Sequence, residues 1–312
     1  MPELPEVETV RAGLAPALTG STVKAIRVLD ARSLKRHPGG VEDFIATLVG
    51  SKVLGVVRRG KFLWMPIELP KAKDTGHKLA LVGHLGMSGQ MLLRTPGFAE
   101  DKLTRVIIEV ETPAGEPVEL RFIDQRIFGS LAIDELVDTP DKKPGGFSDG
   151  IAQGQWWQNL IPSSAAHISR DPLDVDFEDS FVLSRFKKKN SGIKRVLLDQ
   201  QTVSGIGNIY ADEALWQSKL HYDQPAASLS TVKAKELLAN VREILAKAIT
   251  QGGTSFDEQY KNVNGESGYF AVSLNAYGMT GLPCKRCGKP IKRDTWMNRG
   301  SHFCPNCQKL KS

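Results

Sequence analysis

Cysteine is missing from the first 283 residues; all four copies lie in the last 29. That distribution excludes a disulfide framework for most of the chain and reads as local metal binding in a reducing compartment. Long apolar runs are also missing. No segment reaches the roughly 18 residues of a membrane-crossing helix. The opening MPELPEVETV has no apolar centre and carries acidic residues at once, so neither a signal peptide nor a membrane anchor is expected, and a cytoplasmic location is. No internal repeat is found. Acidic charge is in deficit, with 35 Asp and Glu against 41 Lys and Arg, a net charge of +6. A basic excess of this size hints at an anionic partner, and nucleic acid is the commonest.

What is present suits a globular protein of two ordinary domains: 312 residues, 41% hydrophobic and 24% charged. Val7, Val10, Leu14 and Leu18 recur at spacings of three and four, predicting a helix over 3–18 with acidic residues in its first turn. Strand-like alternation follows, at Val23–Val28, Lys52–Val57, Arg105–Val110 and Val118–Phe122. Thr112-Pro-Ala-Gly115 predicts a hairpin turn between the last two. A β-sandwich or barrel with a helix at its front is expected over 1–137. Residues 138–165, rich in Pro, Gly, Ser and Asp, read as a linker whose Trp156 and Trp157 pack against a neighbouring domain. Helical patterns return over about 178–250, within a second domain read as 166–278, with a helix over Lys233–Ile249 whose apolar stripe is Leu237, Leu238, Val241, Leu245 and Ala248. A Gly- and Asn-rich loop spans 251–270, and a basic cysteine-containing tail occupies 279–312.

Cys284-Lys-Arg-Cys287 and Cys304-Pro-Asn-Cys307 are two CxxC pairs separated by 16 residues. Two facing turns with two thiolates each make a tetrahedral zinc site. Because four cysteines saturate the metal, a zinc-dependent hydrolase is disfavoured. Eight basic side chains against Asp294 alone make residues 284–312 strongly cationic, as a phosphate-binding hairpin would be, though a solvated structural knob has the same composition. A second basic stretch holds Arg185, Lys187, Lys188, Lys189, Lys194 and Arg195. It precedes Val203-Ser-Gly-Ile-Gly-Asn208, a glycine turn entering a helix, whose backbone N–H groups would suit a DNA phosphate.

Several short strings now stand in order: Met1-Pro-Glu-Leu-Pro-Glu-Val-Glu-Thr9, Arg59-Gly-Lys-Phe62, Gly83-His-Leu-Gly-Met-Ser-Gly89, Asp124-Gln-Arg-Ile-Phe-Gly129, Gly205-Ile-Gly-Asn-Ile-Tyr210, Gly268-Tyr-Phe270 and the four-cysteine finger with Arg299. From end to end the chain resembles the bacterial formamidopyrimidine-DNA glycosylase family. The resemblance implies an α+β protein: an N-terminal helix and β-sandwich, a helix-two-turn-helix domain and a zinc finger holding one structural zinc. It implies a glycosylase and lyase acting on oxidised purines in double-stranded DNA; one active site and one DNA clamp per chain favour a monomer.

The roles implied are specific. Pro2, exposed by removal of Met1, would attack the sugar through its secondary amine. Glu3 would transfer a proton to the sugar ring oxygen, and Glu6 would orient it or merely serve the helix dipole. Lys61 would assist β-elimination at the lesion phosphate and Arg299 the δ-elimination. Met87 would be the wedge that fills the gap left by the flipped nucleotide, with Arg126 and Phe128 holding the orphaned base. Lys189, Lys194 and Asn208 would bind the DNA backbone. The 251–270 segment would close over the lesion, with no base-reading residue assigned. The family's DNA-binding histidine before Arg105 is replaced by Lys102-Leu103, so Lys102 would have to substitute. The sister family, endonuclease VIII, acts on oxidised pyrimidines and stays as an alternative, as does a DNA-binding protein without catalysis.

Overall fold

A computed structural model describes residues 2–74, 76–254, 263 and 270–311. The chain divides into two compact units: residues 1–2, 6–167 and 255–268 in the first, residues 3–5, 168–254 and 269–312 in the second.

The first unit begins with helix α1 (Leu4–Leu18), then β1 (Thr22–Val28), α2 (Gly40–Leu48), β2 (Lys52–Val53), β3 (Val57–Arg59), β4 (Phe62–Glu68), β5 (Leu79–His84), β6 (Gly89–Arg94), β7 (Thr104–Glu111), β8 (Pro117–Asp124), β9 (Ser130–Asp138) and β10 (Leu160–Pro162). One antiparallel sheet runs β10-β9-β5-β4-β2-β1-β7-β8-β6, with β3 paired to β4. The path folds back on itself. Leu63 and Met65 of β4, Leu81 of β5, Met91 of β6 and Phe122 of β8 share one core with Val7, Val10, Leu14 and Leu18 of α1. At Gly83 of β5 an added Cβ would lie 2.3 Å from Met91 Cε of β6, so the two arms meet face to face with the end of Met91 against the glycine. This is the expected sandwich with its helix.

Two expectations change in detail. The strand read over 52–57 breaks in two, because Gly55 lets Trp157 approach to 2.9 Å of where its Cβ would stand. The segment 138–165 is folded rather than a spacer. Its β10 pairs with β9, Phe147 exchanges two backbone hydrogen bonds with Arg58, and Trp157 is buried with Val57 and Trp64 inside the first unit. Pro, Gly and Asp disguised this segment because its contacts come from distant strands and not from its own periodicity.

The second unit contains α3 (Asp179–Lys187), α4 (Ile193–Leu197), α5 (Asn208–Gln217), α6 (Thr231–Thr250), β11 (Lys292–Trp296) and β12 (Arg299–Phe303). Ser230 caps α6 by accepting from the Lys233 amide, and the predicted stripe Leu237, Leu238, Val241, Leu245 and Ala248 is buried. Among the described residues no helix is long and apolar enough to cross a membrane.

A buried ion cluster ties α1 to the sheet. The Glu8 carboxylate accepts from Arg11 Nη2 at 2.8 Å and from Arg58 Nε at 2.9 Å, and the Phe147 ring covers Arg11. Removing the carboxylate charge leaves two buried guanidinium groups poorly compensated. Glu8→Gln is expected to lower unfolding free energy by about 3 kcal/mol, read from the urea midpoint; a loss under about 1 kcal/mol would show the cluster to be solvated in solution.

Candidate active site and nucleic-acid interface

Pro2 and Glu3 are both buried. Glu3 is held by the start of α5: Oε2 accepts from the Gly207 amide at 2.6 Å and the Tyr210 amide at 3.4 Å, and Oε1 from the Ile209 amide at 2.9 Å. A helix N-terminus offers unpaired N–H groups and a positive dipole end, and a carboxylate satisfies both. The glycines follow from this contact. Gly205 has φ +89° and its carbonyl accepts from the Leu4 amide at 3.0 Å; a Cβ on Gly207 would fall 2.3 Å from the Glu3 carboxyl carbon. The turn was expected to present these amides to a DNA phosphate. Instead three of them hold Glu3, because an acceptor within the chain reaches them at no cost in association entropy.

In the first unit the buried side chain of Asp124 organises two loops. Its Oδ1 accepts from Ser88 Oγ at 2.5 Å and the Arg126 amide at 3.1 Å, and its Oδ2 from the Gly129 amide at 2.7 Å. Gly86, at φ +61°, brings the Met87 loop so close that a Cβ would lie 2.6 Å from the Phe128 carbonyl carbon. Met87 and Phe128 are 42% and 46% exposed, and Arg126 is exposed beside them. Two large apolar side chains exposed on two loops tied together by Asp124, with an exposed arginine two residues before Phe128, suit insertion into a base stack. At the base of this edge burial, followed by the charges of Arg36 and Lys35, lowers the His84 pKa to about 4. Lys61 is half-buried in the turn between β3 and β4, after Gly60 at φ +55°. Lys102 is exposed, next to an exposed Leu103 at φ +66°.

In the second unit Lys189 is half-buried, with its ammonium 2.5 Å from Asp199 Oδ2. Together with Arg195, Trp296, Met297 and Arg299 it lines a groove of about 480 Å3. Arg299 is exposed at the end of a two-residue hairpin whose turn residues, Met297 and Asn298, have φ +46° and +58°. Lys194 departs from expectation. It is fully buried, and its ammonium lies 2.6 Å from Asp212 Oδ1, 2.7 Å from Ser301 Oγ and 3.2 Å from the Gly300 carbonyl. Two hydrogen bonds and an ion pair inside the unit turn this ammonium inward, away from solvent. Asn208 Nδ2 also donates to the Gly300 carbonyl, at 3.0 Å.

The four cysteine sulfurs lie within 4.8 Å of one another. Tetrahedral zinc with Zn–S bonds of about 2.3 Å requires sulfurs roughly 3.8 Å apart, so the donor set and its spacing fit zinc. Cys284 and Cys304 pack with Trp216, Ala276 and Ile291.

The sequence reading passed over Asp124, Asp212, Glu213, His302 and Tyr277. Glu213 Oε1 accepts the amides of Asn275, Ala276 and Tyr277 at 3.1, 2.8 and 2.9 Å; burial raises its pKa against the pull of these donors. The available signal was two acids at 212 and 213 within the apolar run Tyr210–Leu215 of α5, all of it buried. The proposed lesion-covering loop lies mostly outside the described residues. Of its described residues, the Phe270 amide bonds to the Gly253 carbonyl at 3.0 Å and Val263 is buried.

Comparison with known proteins accords with this organisation. Residues 1–131 match the formamidopyrimidine-DNA glycosylase N-terminal domain, 168–259 its H2TH domain, and 281–310 the zinc finger found in FPG and IleRS. The formamidopyrimidine-DNA glycosylase of Leifsonia xyli subsp. xyli is 51% identical over 310 residues, covering 99% of this chain and 100% of that protein. That of Kineococcus radiotolerans is 48% identical over 308 residues, covering 99% and 97%. Among solved structures, Lactococcus lactis Fpg in complex with abasic-site DNA aligns with a TM-score of 0.77 at 29% identity, covering 98% of this chain and 99% of that one. MutM in complex with DNA containing carbocyclic 8-oxo-G aligns at 0.78 and 30%, covering 99% and 100%. With all three parts matched in order and relatives near half identical over their full length, the chain belongs to the formamidopyrimidine-DNA glycosylase family.

Proposed function

We propose that this protein is a DNA glycosylase and lyase that removes oxidised purines from double-stranded DNA. The observation that carries the reading is the fixed Glu3 carboxylate, one residue from Pro2, in a chain that matches the family throughout.

The Pro2 amine attacks C1′ of the damaged nucleotide. The N-glycosidic bond breaks with its electron pair leaving on the base; the amine then sheds its N–H proton as the C1′–O4′ bond opens with its electron pair going to the ring oxygen, and the open-chain sugar is held as an iminium. Glu3 transfers a proton at the sugar ring oxygen, and its geometry is set in advance by the α5 amides. Loss of a proton from C2′ then expels the 3′ phosphate, and a second elimination expels the 5′ phosphate. Lys61 and Arg299 stabilise those phosphates as they depart. Met87 fills the gap left by the flipped nucleotide while Arg126 and Phe128 hold the opposite strand. Lys189, Asn208 and Lys102 contribute to backbone binding. When bound, zinc holds the two cysteine turns together and offers no open coordination position. Cysteine thiolates and a repair role inside the cell suit a cytoplasmic, monomeric enzyme.

Borohydride trapping on a duplex with one 8-oxoguanine opposite cytosine is expected to yield a covalent adduct whose peptide mass places the DNA on Pro2. An adduct only on an oxidised pyrimidine would move the substrate to that of the sister family. An unadducted protein with Met1 removed and zinc bound would be a DNA-binding protein without catalysis.

Gly207→Ala places a methyl against the Glu3 carboxyl group. Its kcat on 8-oxoguanine is expected to fall at least roughly tenfold, with the affinity for abasic-analogue DNA changed far less. Wild-type turnover in this variant would remove the geometric argument for Glu3.

Chelating the metal is expected to abolish tight DNA binding and restore it on zinc addition, measured by fluorescence anisotropy. Undiminished affinity of the metal-free protein would leave the finger outside the interface.

A further inference from the structure

Lys194, Asp212 and His302 form a closed chain of buried charge between α4, α5 and β12. Asp212 Oδ1 faces the Lys194 ammonium at 2.6 Å, while Oδ2 accepts from the His302 amide at 2.8 Å and lies 3.0 Å from His302 Nδ1. Lys194 also reaches Gly300 and Ser301, and Asn208 adds a second donor to the Gly300 carbonyl. The Trp296 ring lies 5.1 Å from the ammonium and the Tyr277 ring 4.7 Å from His302. Lys194, Asp212 and His302 are 0%, 1% and 8% exposed.

We infer that this clasp is a positioning device for Arg299: Asp212 and Lys194 fix the backbone of residues 300–302 and so set where the adjacent guanidinium stands. The inference rests on the proposed role of Arg299 in δ-elimination. The geometry favours positioning over mere stability. Every hydrogen bond of the clasp to the finger lands on Gly300, Ser301 or His302, the three residues after Arg299. The turn before Arg299 is two residues in the left-handed region, which fixes the hairpin's register but gives it no hold on α5. The cysteines of this strand that would hold the metal, Cys304 and Cys307, come after His302, so zinc alone would leave Arg299 at the end of a lever. Burial lowers the Lys194 pKa, and Asp212 is the largest opposing influence, so ammonium and carboxylate depend on each other.

The test uses the full-length zinc-loaded enzyme on a duplex with a single 8-oxoguanine. The ratio of β,δ- to β-elimination products is read from gel mobility. Arg299→Ala sets the reference loss. Asp212→Asn, which keeps the shape but not the charge, is expected to cut the β,δ share roughly tenfold with one zinc retained per chain. The double variant is expected to lose no more than Arg299→Ala alone, the signature of one residue acting through the other. His302→Gln, which leaves the Lys194–Asp212 pair intact, is expected to move the ratio in the same direction and decides the matter if Asp212→Asn does not fold. A folded, zinc-loaded Asp212→Asn with an unchanged ratio overturns the inference as a merely structural network would. If Arg299→Ala itself leaves the ratio unchanged, the Arg299 reading fails. The clasp is then judged by amide exchange at 299–303, where roughly tenfold faster exchange in Asp212→Asn upholds it and unchanged protection sinks it.

Discussion

Backbone amides in irregular segments need acceptors, and a buried carboxylate with two oxygens satisfies several at once. The functional loops of this protein depend on that. Glu3 gathers the amides of Gly207, Ile209 and Tyr210; Asp124 those of Arg126 and Gly129; Glu213 those of Asn275, Ala276 and Tyr277; Asp212 that of His302. Asp124 ends β8 and Glu213 lies on α5, with their donors in loops, while Glu3 takes amides from the entry to α5 and Asp212 of α5 takes one from β12. Regular elements are rigid, so the loop inherits their precision. Losing one such carboxylate would leave several buried donors unsatisfied at a stroke, a far larger loss than one surface hydrogen bond.

The division of labour between apolar and polar groups follows. The apolar cores of α1 with the sheet and of α6 with α5 set where elements lie. They do little to specify the path of residues 125–128, none of which is fully buried, and they hold residues 205–208 by Ile206 alone. Glycines permit those paths by allowing left-handed φ or close approach, and the carboxylates select one of them.

This explains what the sequence made legible. Helix α1, the strands around the 112–115 turn and helix α6 follow from spacing alone, since each buries one face. The zinc ligands follow from cysteine spacing. Met87, Arg126 and Phe128 were suggested by resemblance, and the structure brings them together around Asp124. Asp124 itself went unread because a carboxylate in a turn looks like an ordinary solvated residue. Lys194 was misplaced for the converse reason: a lysine in a basic run looks exposed, and only the fold reveals Asp212 facing it from the next helix. The segment 138–165 escaped because its partners, Arg58 and β9, are remote in sequence.

The packing of Cys284 and Cys304 against Trp216, close to the His302–Asp212 contact, makes metal affinity a property of the whole second unit. By thermodynamic linkage, whatever α5 contributes to holding the hairpin in its metal-ready shape is added to the apparent affinity for zinc, and zinc returns the same free energy to the docking of the hairpin. A finger cut from this chain would therefore hold its metal less tightly than the intact protein.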